Sequence, residues 1–236
     1  MALAHGGGAA IPVAAGSAAG WWLLVTVVLI GGAAMLRSPA GDRVDVYGVP
    51  NGLTALRAYG CLPLMLVATL SLPGRLALVL WGAAGGIVGL LDAADGAIAR
   101  RWGPITALGK ALDPFMDAVY FVVAATGSLL LGIMPAWLMA LVVFRYAGPV
   151  LATPVVLLSG RRPELVFTAW GRRNTELTGV VLFTLLWVRI AGGPIDVAAL
   201  AVALPTLVPT MILHFIALGR RAAAAPRAPR RARQWT

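Results

Sequence analysis

Residues 92 to 117 read DAADGAIARRWGPITALGKALDPFMD, and four of the chain's nine acidic side chains lie within them. On a helix, Asp95, Gly96 and Ala99 follow Asp92 by three, four and seven residues and share its face. Asp113 and Asp117 are four apart and share a face of the next helix. Two antiparallel helices joined by a short turn around Trp102–Thr106 would aim all four carboxylates at one point. Ionised carboxylates gathered there repel one another unless cations bind between them. Hard divalent cations prefer oxygen ligands, and Mg2+ combines a few carboxylates with substrate phosphates. The chemistry that fits is metal-assisted phosphoryl transfer: one cation polarises the phosphorus, a second stabilises the leaving oxygens, and a carboxylate takes a proton from the nucleophile. A single aspartate at the end of a span would be read as solvated or neutralised by Arg100 or Arg101. Four on two converging faces point to function, because ionisable groups in spans are costly. Gly96, Ala99 and Gly109 leave room beside the acids for a bulky ligand.

The elements that must position these residues follow from composition. Of the 236 residues 60% are hydrophobic and only 12% charged, with a mean hydropathy of +0.87. A soluble domain of this length needs far more polar surface, so the expected class is an all-α polytopic membrane protein. A closed β-barrel would need short alternating segments, whereas the apolar blocks here are long and uninterrupted. Spans are expected near Gly20–Leu36, Gly52–Leu72, Leu76–Ala99, Leu108–Leu131, Pro135–Leu158, Glu176–Ile190 and Ile195–Leu218. The flank MALAHGGGAA carries no Lys or Arg, so the first span is expected to be a retained helix with its N-terminus outside rather than a signal peptide.

The net charge of +10 is almost all arginine, Lys110 being the only lysine. Arg37, Arg43, Arg100, Arg101, Arg161, Arg162, Arg172, Arg173 and the C-terminal arginines sort to one side of the membrane, leaving Arg75 and Arg189 opposite. By the positive-inside bias the rich side, which holds the acidic stretch and the C-terminus, is cytoplasmic, in the cell membrane. Such loops fit anionic lipid headgroups as partners better than nucleic acid. A division into residues 1–43 (N-terminal segment with an extra transmembrane helix), 44–219 (catalytic membrane domain) and 220–236 (basic disordered tail) follows. Cys61 stands alone, which excludes an intramolecular disulfide. WGAAGGIVG (81–89) is read as helix packing through small residues, not as a phosphate loop. Pro114 leaves two possibilities: Asp113 caps a helix that starts there, or a helix bends beside the acids.

The pattern Asp92-x2-Asp95-Gly96-x2-Ala99-Arg100-x8-Gly109-x3-Asp113-x3-Asp117 resembles the signature of the CDP-alcohol phosphatidyltransferases at every fixed position and spacing. PNGLTALR (50–57) is similar to the family's segment at the start of its first core helix. The resemblance implies a six-helix core, to which the first span is an addition, and a homodimer. It also implies an enzyme that joins CDP-diacylglycerol to an alcohol and releases CMP, using two divalent cations, Mg2+ or Mn2+. By motif position, Asp92 and Asp113 would bridge both metals, Asp95 would bind one and Asp117 the other, with Asp117 also the catalytic base. Asn51, Gly52, Leu53, Thr54, Gly96, Ala99, Arg100, Thr106 and Gly109 would hold the CDP-lipid. A glycine at 96 lets the nucleotide approach closely, and Arg100 offers a fork of donors to phosphate oxygens.

For the acceptor, TALGKALDPFMD (106–117) resembles the phosphatidylglycerophosphate synthase and cardiolipin synthase branches. WGRRNTELTG (170–179) lies where glycerophosphate-using members carry Gly-Lys-x-Lys-Thr; Arg172 and Asn174 occupy the lysine positions, and Asn174-Thr175 is closer to the cardiolipin branch. Glycerol 3-phosphate is the expected acceptor, with phosphatidylglycerol or an inositol phosphate as alternatives. Arg145, in mid-span, needs an anionic partner or a wet cavity, and with Arg172 and Arg173 it is expected to contact the acceptor's phosphate. Thr175 and Glu176 are expected at a helix start, and His5 and His214 are too isolated for metal ligation. A transporter is the rival class, but the acidic motif has no second copy of the kind inverted repeats would produce.

Overall fold

The computed structural model describes residues 10–33, 52, 55–102, 107–158 and 168–224, with side chains described except at 10, 61, 92–102, 107–114 and 153–157. The described secondary structure is entirely helical. Helix α1 is Ala10–Gly32. Its alanine-rich start and Pro12, which needs no hydrogen-bond partner in a first turn, carry it further toward the N-terminus than Gly20. Helix α2 opens as a π-helical turn, Arg57–Cys61, and continues as Leu62–Ser71. Helix α3 is Gly74–Trp102 and α4 is Ala107–Leu130. Because α4 runs through Pro114, no helix starts there for Asp113 to cap.

Helix α5 is Ala136–Leu158, α6 is Ala169–Ile190 and α7 is Ile195–Ala224. Two of these bounds correct the sequence reading. Helix α6 starts directly after its cap Thr168, not at Thr175–Glu176, because the Thr168 side chain accepts from the Gly171 amide at 2.8 Å and satisfies one of the first-turn donors. Helix α7 runs to Ala224, so residues 220–224 of the expected disordered tail are helical; alanine and arginine are good helix formers. Pro205 and Pro209 lie inside α7, where the Thr206 and Thr210 hydroxyls donate to the carbonyls of Val202 and Thr206.

The main core lies where α2 to α7 meet, around Met65, Trp81, Phe121, Leu138, Leu185 and Leu207. Small residues set how closely the helices pack. A methyl group at Gly82 would strike Leu186, and one at Gly127 would lie 2.8 Å from the Trp81 indole nitrogen and 2.9 Å from the Thr69 hydroxyl. Within 81–89, Gly82 and Gly85 lie against neighbouring helices, as the packing reading expects, whereas a methyl group at Gly86 or Gly89 would meet nothing within 4 Å. Windows in Ile11–Gly32, Gly74–Leu91 and Ile195–Ala224 are long and apolar enough to cross a bilayer. Large apolar side chains such as Val13, Ile30, Leu90, Phe183 and Val197 face outward. These are the features of an all-α integral membrane protein.

Candidate functional site

The acidic motif is divided between the end of α3 and the beginning of α4. Asp92, Asp95, Gly96, Ala99 and Arg100 lie on the last turns of α3; Gly109, Asp113 and Asp117 lie on the first turns of α4. One cross-helix bond sets their relative height: the Tyr120 hydroxyl donates to the Gly85 carbonyl at 3.3 Å. Asp92 lies seven residues beyond Gly85, and Asp113 seven residues before Tyr120. At about 1.5 Å per residue, both are displaced by about 10 Å from that contact toward the connection between the helices. The backbone thus places the two pairs at the same end of the α3–α4 hairpin. Asn51, Leu53, Thr54 and Thr106 lie outside the described residues, and Gly52 is exposed.

Asp117 is the motif acid whose side chain is described, and it is partly buried. One turn further along α4, the Phe121 ring stacks on Tyr146 of α5, with centroids 3.9 Å apart and planes 8° from parallel. This stack brings α5 to Asp117, whose charge acts on both Tyr146 and Arg145.

Arg145 is only 7% exposed. Its Nε donates to Asn174 Oδ1 at 3.1 Å, a terminal nitrogen donates to the Gly171 carbonyl at 3.2 Å, and the guanidinium lies 4.8 Å from the Tyr146 ring centroid. A fixed cation is therefore held by neutral oxygens and an aromatic face, with the charge of Asp117 acting on it from α4. The neutral oxygens and the ring solvate the charge without cancelling it.

The first turns of α6 are built around this cation. Asn174 Nδ2 donates to the Leu207 carbonyl at 3.1 Å and to the Thr210 hydroxyl at 2.8 Å on α7. Tyr146 donates to the Thr175 hydroxyl at 3.2 Å, and the Thr168 hydroxyl and His214 Nδ1 are 2.6 Å apart. Gly171 allows this closeness: a Cβ there would lie 2.8 Å from His214 Nδ1 and 3.0 Å from the Thr168 hydroxyl. Arg172 and Arg173 flank this turn and are exposed. The structure thus joins Arg145 to the turn that bears Arg172 and Arg173, while those two side chains stay at the surface. Asn174, Thr168, Thr210 and His214 are the polar residues whose part in this network sequence reasoning missed. Asn174 was noticed only as a replacement for lysine, and polar residues on α7 recurring at 210 and 214 were the available signal. Among the described residues no group of three His, Cys, Asp or Glu could hold a metal ion.

Comparison with known proteins bears on the same residues. Two probable phosphatidylglycerophosphate synthases, from two strains of Mycobacterium tuberculosis, are 29% identical over 123 residues, covering 52% of this chain and 56% of theirs. A cardiolipin synthase (CMP-forming) from Streptomyces coelicolor is 33% identical over 78 residues, 33% of this chain and 36% of its own. The chain thus spans about half the length of the first of these relatives and about a third of the last. Both activities are those of the branches that residues 106–117 resemble. The family model of the CDP-alcohol phosphatidyltransferases matches residues 47–218, from just before α2 through most of α7. That stretch holds the whole acidic motif, Arg145 and the first turns of α6, and leaves α1 outside; over it, the chain belongs to the CDP-alcohol phosphatidyltransferase family.

Proposed function

We propose that the chain transfers a phosphatidyl group from CDP-diacylglycerol to glycerol 3-phosphate, releasing CMP, at the cytoplasmic face of the membrane. The observation that carries the reading is the common height of the two aspartate pairs on α3 and α4, with Phe121, one turn beyond Asp117, stacked on Tyr146 next to Arg145. The donor set is all oxygen, two carboxylates from each helix, and fits hard divalent cations; Asp92, Asp95, Asp113 and Asp117 would hold them. When bound, such cations supply charge neutralisation for the diphosphate and its departing oxygens.

The remaining work falls to the chain. Asp117 takes the proton of the acceptor hydroxyl as its oxygen bonds to the lipid-bearing phosphorus and the bond to the CMP oxygen breaks. Support for that role comes from its partial burial and from its charge acting on Arg145. Arg100 and the small residues Gly96, Ala99 and Gly109 hold the nucleotide diphosphate, together with Asn51–Thr54 and Thr106. Arg145, with Arg172 and Arg173 on the neighbouring turn, meets the acceptor's phosphate. Glycerol 3-phosphate is supported by the 29%-identical relatives described as probable phosphatidylglycerophosphate synthases. The Asn174–Thr175 pair and the 33%-identical cardiolipin synthase favour phosphatidylglycerol as the second reading.

Purified protein given labelled CDP-diacylglycerol, Mg2+ or Mn2+, and glycerol 3-phosphate, phosphatidylglycerol or an inositol phosphate in parallel should release CMP with one acceptor above the others. Folded protein that releases no CMP with any acceptor and either metal would defeat the proposal.

A further inference from the structure

Helix α1 lies outside the stretch matched by the family, yet it is fastened to the head of α2 by specific bonds. The Trp21 indole donates to the Ala58 carbonyl at 2.7 Å, and the Trp22 indole to the Tyr59 carbonyl at 2.8 Å. The Thr26 hydroxyl and the Tyr59 hydroxyl are 2.6 Å apart. Both carbonyls belong to the π-helical turn Arg57–Cys61. A π-helical turn widens the helix and disturbs the regular backbone pairing, so side-chain donors from a neighbouring helix stabilise it. In a bilayer no water would do so.

The apolar contacts of α1 reach the aspartate helix as well. Val25 is buried against Ala58, Leu62 and Met116, and Met116 directly precedes Asp117. Ala14 and Ala18, also buried, lie seven residues before Trp21 and Val25 respectively in a stripe that spans the helix, giving α1 a defined contact face. The opposite face carries exposed Leu23, Val27 and Ile30.

We infer that α1 is a brace for the donor half of the site, in which Trp21, Trp22 and Thr26 are positioning residues that fix the π-helical turn that follows in sequence the Asn51–Thr54 segment proposed to hold the CDP-lipid. The inference rests on the proposed phosphatidyl transfer. It extends that reading to residues outside the family match and makes them act on one substrate only. The acceptor half, built on α5, α6 and α7, has its own polar network and does not depend on these bonds.

The test uses the full chain with Trp21→Phe, Trp22→Phe, the pair together and Thr26→Val, each removing a donor while keeping the shape close. Lipid-facing Trp187→Phe on α6 is the control. Steady-state CMP release should show the KM for CDP-diacylglycerol raised about three- to eightfold, equivalent to one or two interhelical bonds of this type. The acceptor KM should stay unchanged, and the control should match the wild type. Hydrogen exchange at residues 57–62 should quicken in the same variants. A lower Tm with both KM values unchanged, or an equal rise in both, overturns the inference. If the double variant fails to fold, the single variants give the same reading. If the wild-type chain releases no CMP, the functional proposal fails separately; exchange at 57–62 then decides the brace, and unchanged exchange overturns it.

Discussion

Replacing Asn174 with alanine tests whether the acceptor cation is positioned from α6. Asn174 is 2% exposed and joins three helices: its Oδ1 accepts from Arg145 Nε on α5, and its Nδ2 donates to Leu207 and Thr210 on α7. The three bonds differ in weight. Thr210 also donates to the Thr206 and Leu207 carbonyls, so its loss of Asn174 leaves its own donor satisfied. Interhelical bonds between neutral groups in membranes average about 0.6 kcal/mol, which gives about 1.2 kcal/mol for the two on α7. A hydrogen bond to a charged group is worth about 1.5–3 kcal/mol, and Arg145 keeps the Gly171 carbonyl and the Tyr146 ring, so the lower end applies. Asn174→Ala should therefore destabilise the protein by about 2–3 kcal/mol, read from denaturant unfolding in detergent. With the guanidinium free to swing, the acceptor KM should rise while the KM for CDP-diacylglycerol holds. A change below about 0.5 kcal/mol with both KM values unaltered would refute the argument, placing Asn174 among ordinary surface-like substitutions.

The other predictions concern single residues. Asp117→Asn should abolish metal-dependent CMP release while retaining most nucleotide binding, measured by CDP titration; a fully active variant would remove the base assignment. Arg145→Ala should raise the acceptor KM by about 10- to 100-fold, the loss of one charge-assisted contact, with a smaller effect on the lipid donor. Equal effects on both would indicate a folding role. Gly171→Ala should cost about 1–3 kcal/mol because its methyl group displaces His214 from Thr168, seen as a lower unfolding midpoint. Chelation by EDTA should stop CMP release, and Mg2+ or Mn2+ should restore it.

The acidic motif was legible because helical spacing converts letters directly into faces, and α3 and α4 are helical across all of its positions. Arg145 was legible for a different reason: an arginine in a long apolar run must be accommodated. Its partners were not, since Asn174 and Gly171 are distant in sequence and neutral. The start of α6 was hidden because Trp170–Asn174 carries glycine and four polar or aromatic neighbours that break the apolar period, while Thr175–Glu176 offered a more familiar cap. The π-helical turn had no visible signal, because its side-chain donors are tryptophans on another helix.

Arg189, at the far end of α6, gives that helix a mechanical character. Its Nε donates to the Leu131 carbonyl at 3.2 Å, beside Gly132, whose φ of 69° suits the turn after α4. Asn174 and Arg189 are fifteen residues apart, about 22 Å along the helix, and each is bonded to the α4–α5 pair or its connecting turn. A rod pinned at both ends keeps its length and height when the surrounding bilayer thins or thickens. Mismatch must then be absorbed by tilting of the less restrained helices, and the acceptor KM should vary little between vesicles of short- and long-chain lipid.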